Sequence, residues 1–80
     1  MPPRVIRIGR TADNDLALPD DLGVSRYHAE LRESGPGRYE IIDLNSHNGT
    51  FVNGQRISRA ALAEHDVIGV GFSTFCLVAG

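Results

Sequence analysis

Turn-forming residues interrupt this chain every few positions, which rules out any fold that needs long regular elements. Gly9, Pro19, Gly23, Gly35-Pro36-Gly37, Gly49, Gly54, Gly69 and Gly71 cut the 80 residues into short pieces. The pieces between them are apolar and β-prone. Val5-Ile6-Arg7-Ile8 reads as a strand, and Leu16-Ala17-Leu18 as a shorter one stopped by Pro19. From Tyr27 to Arg32, His28, Glu30 and Arg32 alternate with Tyr27, Ala29 and Leu31, the two-residue period of a strand with unlike faces. Arg38 to Leu44 carries apolar residues on both faces, as a strand in the middle of a sandwich does. Asn53-Gly54 lies between Thr50-Phe51-Val52 and Gln55-Arg56-Ile57 and predicts a type I′ hairpin, because both central residues of that turn need positive φ. Val67 to Val70 and Phe72 to Val78 supply two more strands. The helical candidate, Arg59 to Glu64, is about two turns long and too short to hold by itself. A loop is the better expectation there, with Leu62 plugging the core. Many short strands at regular turn spacing predict an all-β antiparallel sandwich or barrel.

Size and charge narrow the function. At 80 residues the chain holds one domain, residues 1–80, with a thin core that buries roughly 60% of the unfolded surface. Cys76 is the single cysteine, so no internal disulfide staples the fold; a reducing, cytoplasmic compartment is expected, with Cys76 a small core hydrophobe. No apolar run nears the length of a membrane span, and Met1-Pro2-Pro3 is too short for a targeting segment. The net charge of −2 argues against bulk nucleic-acid binding or direct membrane contact. All eight basic residues are arginine, the side chain suited to planar, bidentate contacts with phosphate or carboxylate.

Polar clusters fall where the strands end: Gly9-Arg10, then Ser25-Arg26-Tyr27-His28, then Asn45 to Thr50, besides the Asn53-Gly54 hairpin. A rigid scaffold presents such loops for binding. Their chemistry can be set against what a phosphothreonine site would require. A phosphate near its dianion needs a fixed cation, which arginine supplies with two parallel donors, and neutral donors such as a serine hydroxyl. The flanking peptide backbone needs a group that donates and accepts, as asparagine does. Arg10, Ser25 and Asn48 have these properties.

Ile8-Gly9-Arg10, Asn14-Asp15, Val24 to Ala29, and Asp43 to Gly54, in this order and at these separations, resemble the forkhead-associated (FHA) domain, and the likeness runs on through Leu62, Asp66 and Gly69 to Phe72. The resemblance implies a β-sandwich of two antiparallel or mixed sheets, with about 9–11 short strands and binding loops at one end. It implies phosphorylation-dependent recognition of a phosphothreonine protein or peptide by a monomer without cofactor or metal. Arg10 corresponds to the arginine on the phosphate, Ser25 to the serine that donates to it, and Asn48 to the asparagine on the peptide main chain. Arg26 and His47 fall on the binding surface, His47 where the family often has threonine or serine. Gly9, His28, Gly49, Asn53 and Gly54 match positions that support the loops, His28 from beneath. The family usually has a further strand before the Gly-Arg strand, but only eight residues precede Gly9 here. That strand is shortened, trimmed, or supplied by another chain, and the sequence looks like a module from a larger protein.

Enzyme chemistry finds no support. Ser25, His28 and Asp43 suggest a triad, yet Gly23-Val24-Ser25-Arg26-Tyr27 lacks the second glycine of a nucleophile elbow. His28, His47, His65 and Cys76 lack metal-ligand spacing, Asp13 to Asp21 lack that of a calcium loop, and Gly69-Val70-Gly71 is no dinucleotide fingerprint. Taken alone, Arg10 reads equally as a surface arginine pairing with Asp13, Asp15 or Asp43. The alternative function is a phosphate-independent scaffold or dimerisation domain.

Overall fold

The computed structural model describes residues 4–78, so Met1-Pro2-Pro3 lies outside the described residues. Among the described residues nine strands form two sheets. In chain order they are β1 (Val5–Gly9), β2 (Leu16–Ala17), β3 (Ala29–Gly35), β4 (Arg38–Asp43), β5 (Thr50–Val52), β6 (Gln55–Ile57), β7 (Arg59–Leu62), β8 (Val67–Val70) and β9 (Ser73–Cys76). One sheet has the order β2-β1-β3-β4-β7 and the other β6-β5-β8-β9. The β1–β2 pair is parallel and every other pair is antiparallel. This is the expected sandwich, at the lower end of the expected strand number.

The core is what the alternation allows. Ile8, Val24, Ala29, Ile41, Ile68 and Val70 are buried between the sheets, and Leu31, Val52, Leu62 and Phe75 pack against them. Ile41 sits on β4 with β3 on one side and β7 on the other, where a strand with two apolar faces belongs. Asn53 and Gly54 both take positive φ, 52° and 82°, as the predicted hairpin turn requires.

Two expectations need correction. Arg59–Leu62 is neither helix nor loop but the edge strand β7, paired in register Leu62↔Tyr39 and Ala60↔Ile41. Ala60 and Leu62 turn inward while Arg59 and Ala61 face out, a period of two that β4 imposes over the helical preference of alanine. Leu62 does pack against the core, but from a strand. Cys76 is exposed rather than in the core. On β9 the inward positions belong to Ser73 and Phe75, so the parity of the strand turns Cys76 outward.

Candidate functional site

The Gly-Arg pair that ends β1 is shaped by close approach. A Cβ on Gly9 would collide with the carbonyl oxygen of Arg26 and would lie 2.6 Å from Asn14 Nδ2, so only glycine fits. Asn14, buried in the β1–β2 loop, donates to Arg26 O at 2.8 Å and to Thr11 O at 3.0 Å. Arg10 N donates to Ser25 O at 3.0 Å. These bonds join the loop after β1 to the loop before β3.

His28 joins that second loop to a third. The ring is fully buried, with Nδ1 accepting from Ser25 N at 3.1 Å and Nε2 placed 2.8 Å from Gly49 O. A neutral imidazole protonated on Nε2 satisfies both contacts at once. Gly49 has φ of 90°, and a Cβ there would lie 2.6 Å from Arg56 Nε. His28, Gly9 and Gly49 therefore lie where these three loops pack against one another. Asn53 and Gly54 are elsewhere. They close the hairpin at the far end of β5, where Asn53 Nδ2 donates to Asp66 and Asn53 Oδ1 accepts from Val67 N at 2.9 Å. The turn lies at the other end of β5 from Asn48 and Gly49, and the Asn53 side chain bonds to Asp66 and Val67 rather than to those loops.

The third loop, Asn45 to Gly49, is held by Asp43, Ser46 and Thr50, to which the sequence reading gave no part in shaping it. Asp43 accepts from the Ser46 hydroxyl and from Thr50 Oγ1, and Ser46 Oγ accepts from Gly49 N at 3.0 Å. Burial pushes the Asp43 carboxyl up, but the bonds from Ser46 and Thr50 outweigh it and hold the group below its ordinary range. The signal was an aspartate followed three residues later by serine, the spacing at which a carboxylate accepts from a nearby backbone N–H. Asp21 does the same between β2 and β3, accepting from Gly23 N, Phe72 N and Ser73 Oγ. In the loop after β1, Asp13 accepts from the Thr11 and Tyr27 hydroxyls, which lower its pKa, and the same contact raises that of Tyr27.

Together the loops enclose a concavity of about 220 Å³, lined by Arg10, Leu22, Gly23, Val24, Ser25, His47 and Asn48. Arg10, Ser25, His47 and Asn48 thus meet on one surface, while Arg26 is exposed on the adjoining loop. Two of these lining residues keep spare hydrogen-bonding capacity. Ser25 Oγ accepts from His47 N at 3.0 Å, which leaves its O–H to donate. Asn48 Nδ2 donates to Gly23 O at 3.0 Å, which leaves its carbonyl oxygen to accept. Among the described residues the ion pairs are those of Arg32, Arg59 and His65, so Arg10 is in none. The acids it could have paired with are engaged: Asp15 with Arg7 N, Asp13 with Thr11 and Tyr27, and Asp43 with Ser46 and Thr50.

Residues 6–71 match the model of the FHA domain. The chain belongs to the FHA domain family. Its relatives include the ABC transporter ATP-binding/permease protein Rv1747 of Mycobacterium tuberculosis, 49% identical over 89% of this chain. The chain spans only 8% of that protein's length. A solved FHA domain, from a structural and functional analysis of phosphothreonine-dependent FHA domain interactions, superposes with a TM-score of 0.88 at 39% identity, covering 100% of this chain and 81% of that one. Mycobacterium tuberculosis EmbR, in complex with a low-affinity phosphopeptide, superposes with a TM-score of 0.85, also at 39% identity, over 95% of this chain and 20% of its own. FHA domains are interaction modules, and no described helix is long and apolar enough to cross a membrane.

Proposed function

We propose that this chain is a phosphothreonine-peptide recognition module that mediates phosphorylation-dependent protein–protein interaction and has no catalytic activity of its own. The observation that carries the reading is the Arg10 guanidinium, free of any ion pair among the described residues and sharing a concavity with Ser25, His47 and Asn48. A site that keeps a cation without a carboxylate awaits an anion from outside.

Arg10 takes the phosphate with two parallel donors, and the Ser25 hydroxyl supplies a third. Asn48 holds the peptide main chain through its free carbonyl oxygen, and Arg26 and His47 flank the peptide. The site is preformed, because Asp43, Ser46 and His28 fix its loops before any ligand arrives. Single-site affinity is micromolar, about −8 kcal/mol, since few groups are engaged. A preference for threonine over serine comes from burying one methyl group, worth about 0.8 kcal/mol or a fourfold ratio, plus restriction of the rotamer. Residues 1–80 act as one monomeric module in the cytoplasm, where a Ser/Thr kinase produces the ligand and the exposed Cys76 thiol persists reduced.

Titration calorimetry against a degenerate phosphothreonine library, with unphosphorylated and phosphoserine libraries alongside, tests this. Binding that requires the phosphate and favours threonine is expected. Equal binding of the unphosphorylated library would make the domain a phosphate-independent scaffold instead.

A further inference from the structure

Two asparagine–glycine pairs lie in this chain, Asn48-Gly49 in the binding loop and Asn53-Gly54 in the far hairpin. Such a pair is reactive wherever the chain is free. The glycine nitrogen attacks the asparagine Cγ, the proton it gives up leaves with the departing ammonia, and a cyclic succinimide closes. Water then opens the ring at either carbonyl and leaves aspartate or isoaspartate in place of asparagine. Glycine favours the step because no side chain shields its nitrogen. The attack needs a glycine N–H that can lose its proton and a Cγ free to swing onto it.

The fold treats the two pairs differently. Gly49 is buried, and its N–H donates to Ser46 Oγ at 3.0 Å. Ser46 in turn donates to Asp43, and burial disfavours the amide anion that the attack requires. The Gly49 carbonyl lies 2.8 Å from His28 Nε2, and the Arg56 side chain covers the Gly49 Cα, where a Cβ would lie 2.6 Å from Arg56 Nε. At the hairpin, Gly54 is exposed, and a Cβ there would meet nothing within 4 Å. The restraint falls on the asparagine instead: Asn53 Nδ2 donates to Asp66 at 3.0 Å, and Oδ1 accepts from Val67 N at 2.9 Å, both in exposed positions. Two exposed hydrogen bonds slow a local opening by about 5- to 30-fold. Releasing Gly49 N instead breaks into the buried network of His28, Ser46 and Asp43, an opening whose cost approaches that of global unfolding.

We propose that Asn53 is the site of spontaneous deamidation in the folded domain, and that Ser46, by holding Gly49 N, keeps Asn48 from the same reaction. The two products have unlike consequences. At residue 53 the new carboxylate meets the Asp66 carboxylate and loosens a turn at the other end of β5 from the binding loop. At residue 48 it loses the bond to Gly23 O and puts a negative charge on the wall of the concavity that takes the phosphate, so the domain inactivates itself. That second consequence rests on the phosphopeptide reading above; the chemistry of the two pairs does not.

The full chain is held at mildly alkaline pH, both folded and in unfolding urea. Fragment mass spectrometry follows each asparagine through the gain in mass as nitrogen gives way to oxygen. In parallel, the fraction of molecules that bind a phosphothreonine peptide is read by fluorescence polarisation. In urea the two sites should react at similar rates. In the folded wild type Asn53 should react about 5- to 30-fold more slowly than in urea, and Asn48 at least about tenfold more slowly again. Ser46→Ala should bring the rate at Asn48 up to that at Asn53, with binding falling from its own starting value in step. The two wild-type rates decide the matter by themselves if Ser46→Ala does not fold. Equal rates at the two sites in the folded wild type would overturn the proposal, as would an Asn53 that survives while Asn48 converts. No reaction at Asn53 over a span that consumes the unfolded chain many times over would overturn it equally. A folded Ser46→Ala domain in which Asn48 stays slow would take the protection away from Ser46. Conversion of Asn48 with binding retained would overturn its part in phosphopeptide recognition and leave the chemistry standing.

Discussion

The two ends of this sandwich are built with the same devices and put them to different use. At the far end, Asp66 accepts from Ala63 N and Asn53 Nδ2, and Asn53 Oδ1 accepts from Val67 N. These bonds span 3 to 14 residues and consume the polar groups that make them. At the binding end, the bonds from His47 to Ser25, from Asn48 to Gly23 and from Phe72 to Asp21 span 22, 25 and 51 residues. They join loops from separate strands and leave the Ser25 hydroxyl proton, the Asn48 carbonyl and the Arg10 guanidinium unspent. A hairpin turn can be saturated because its task is to stop. A binding cluster must be rigid and yet unsatisfied toward one side, so its loops are fixed by groups behind the surface, chiefly His28 and Asp43.

That contrast is broken most readily at His28. The ring is fully buried and bonded to two loops, so His28→Ala leaves a cavity and an unsatisfied Gly49 carbonyl. The expected loss of stability is about 2–4 kcal/mol, seen as a lower midpoint in urea, with phosphopeptide affinity falling alongside. Next in size is Arg10→Ala. It should lower affinity by about 2–4 kcal/mol with the urea midpoint unmoved, because the side chain has no ion pair among the described residues to lose. A loss of a few tenths would remove Arg10 from the phosphate. Asn53→Ala is the control for the far end. It gives up the bonds to Asp66 and Val67 and puts alanine at positive φ, costing about 1–2 kcal/mol of stability with peptide affinity unchanged.

The difference between the ends also explains what the sequence revealed. The Asn53-Gly54 turn was legible because all its determinants are adjacent in the chain. The period of two separated Ala29 and Leu31 from Glu30 and Arg32, and Ala29 and Leu31 are the pair that reach the core. Arg59–Leu62 was not legible as a strand: its local preference is helical, and only the register against β4 shows which faces are buried. Cys76 was misjudged for a related reason, since one cysteine does not reveal the parity of its strand. The resemblance to a family supplied Arg10, Ser25 and Asn48, which no spacing of theirs would have brought together. Asp21 escaped notice because its partners Phe72 and Ser73 are 51 and 52 residues away. Long-range side-chain bonds are what a single sequence conceals, and the binding end is made of them.

The smallest expected effect is one of pH, and it separates the two ends again. Hydrogen bonds hold both the Asp43 and the Asp66 carboxyl below the ordinary value of 3.8. For Asp43 those of Ser46 and Thr50 overcome a burial effect that pushes the other way; for Asp66 the Ala63 N–H comes first and the Asn53 amide second. A carboxyl whose native pKa is depressed binds fewer protons folded than unfolded. Its stabilisation is therefore complete well above 3.8 and is lost as pH falls through the lowered native value. Thermal midpoints measured from about pH 6 to pH 2.5 should decline mainly over the acid end of that range. Both Asp43→Asn and Asp66→Asn should make the decline shallower. Only Asp43→Asn should weaken phosphopeptide binding at neutral pH, because Asp43 shapes the loop that carries His47 and Asn48, whereas Asp66 anchors the turn at the other end of β5. Equal losses of affinity in the two variants would mean that the far end is coupled to the site through β5, and the division between a saturated end and an unsatisfied one would fail.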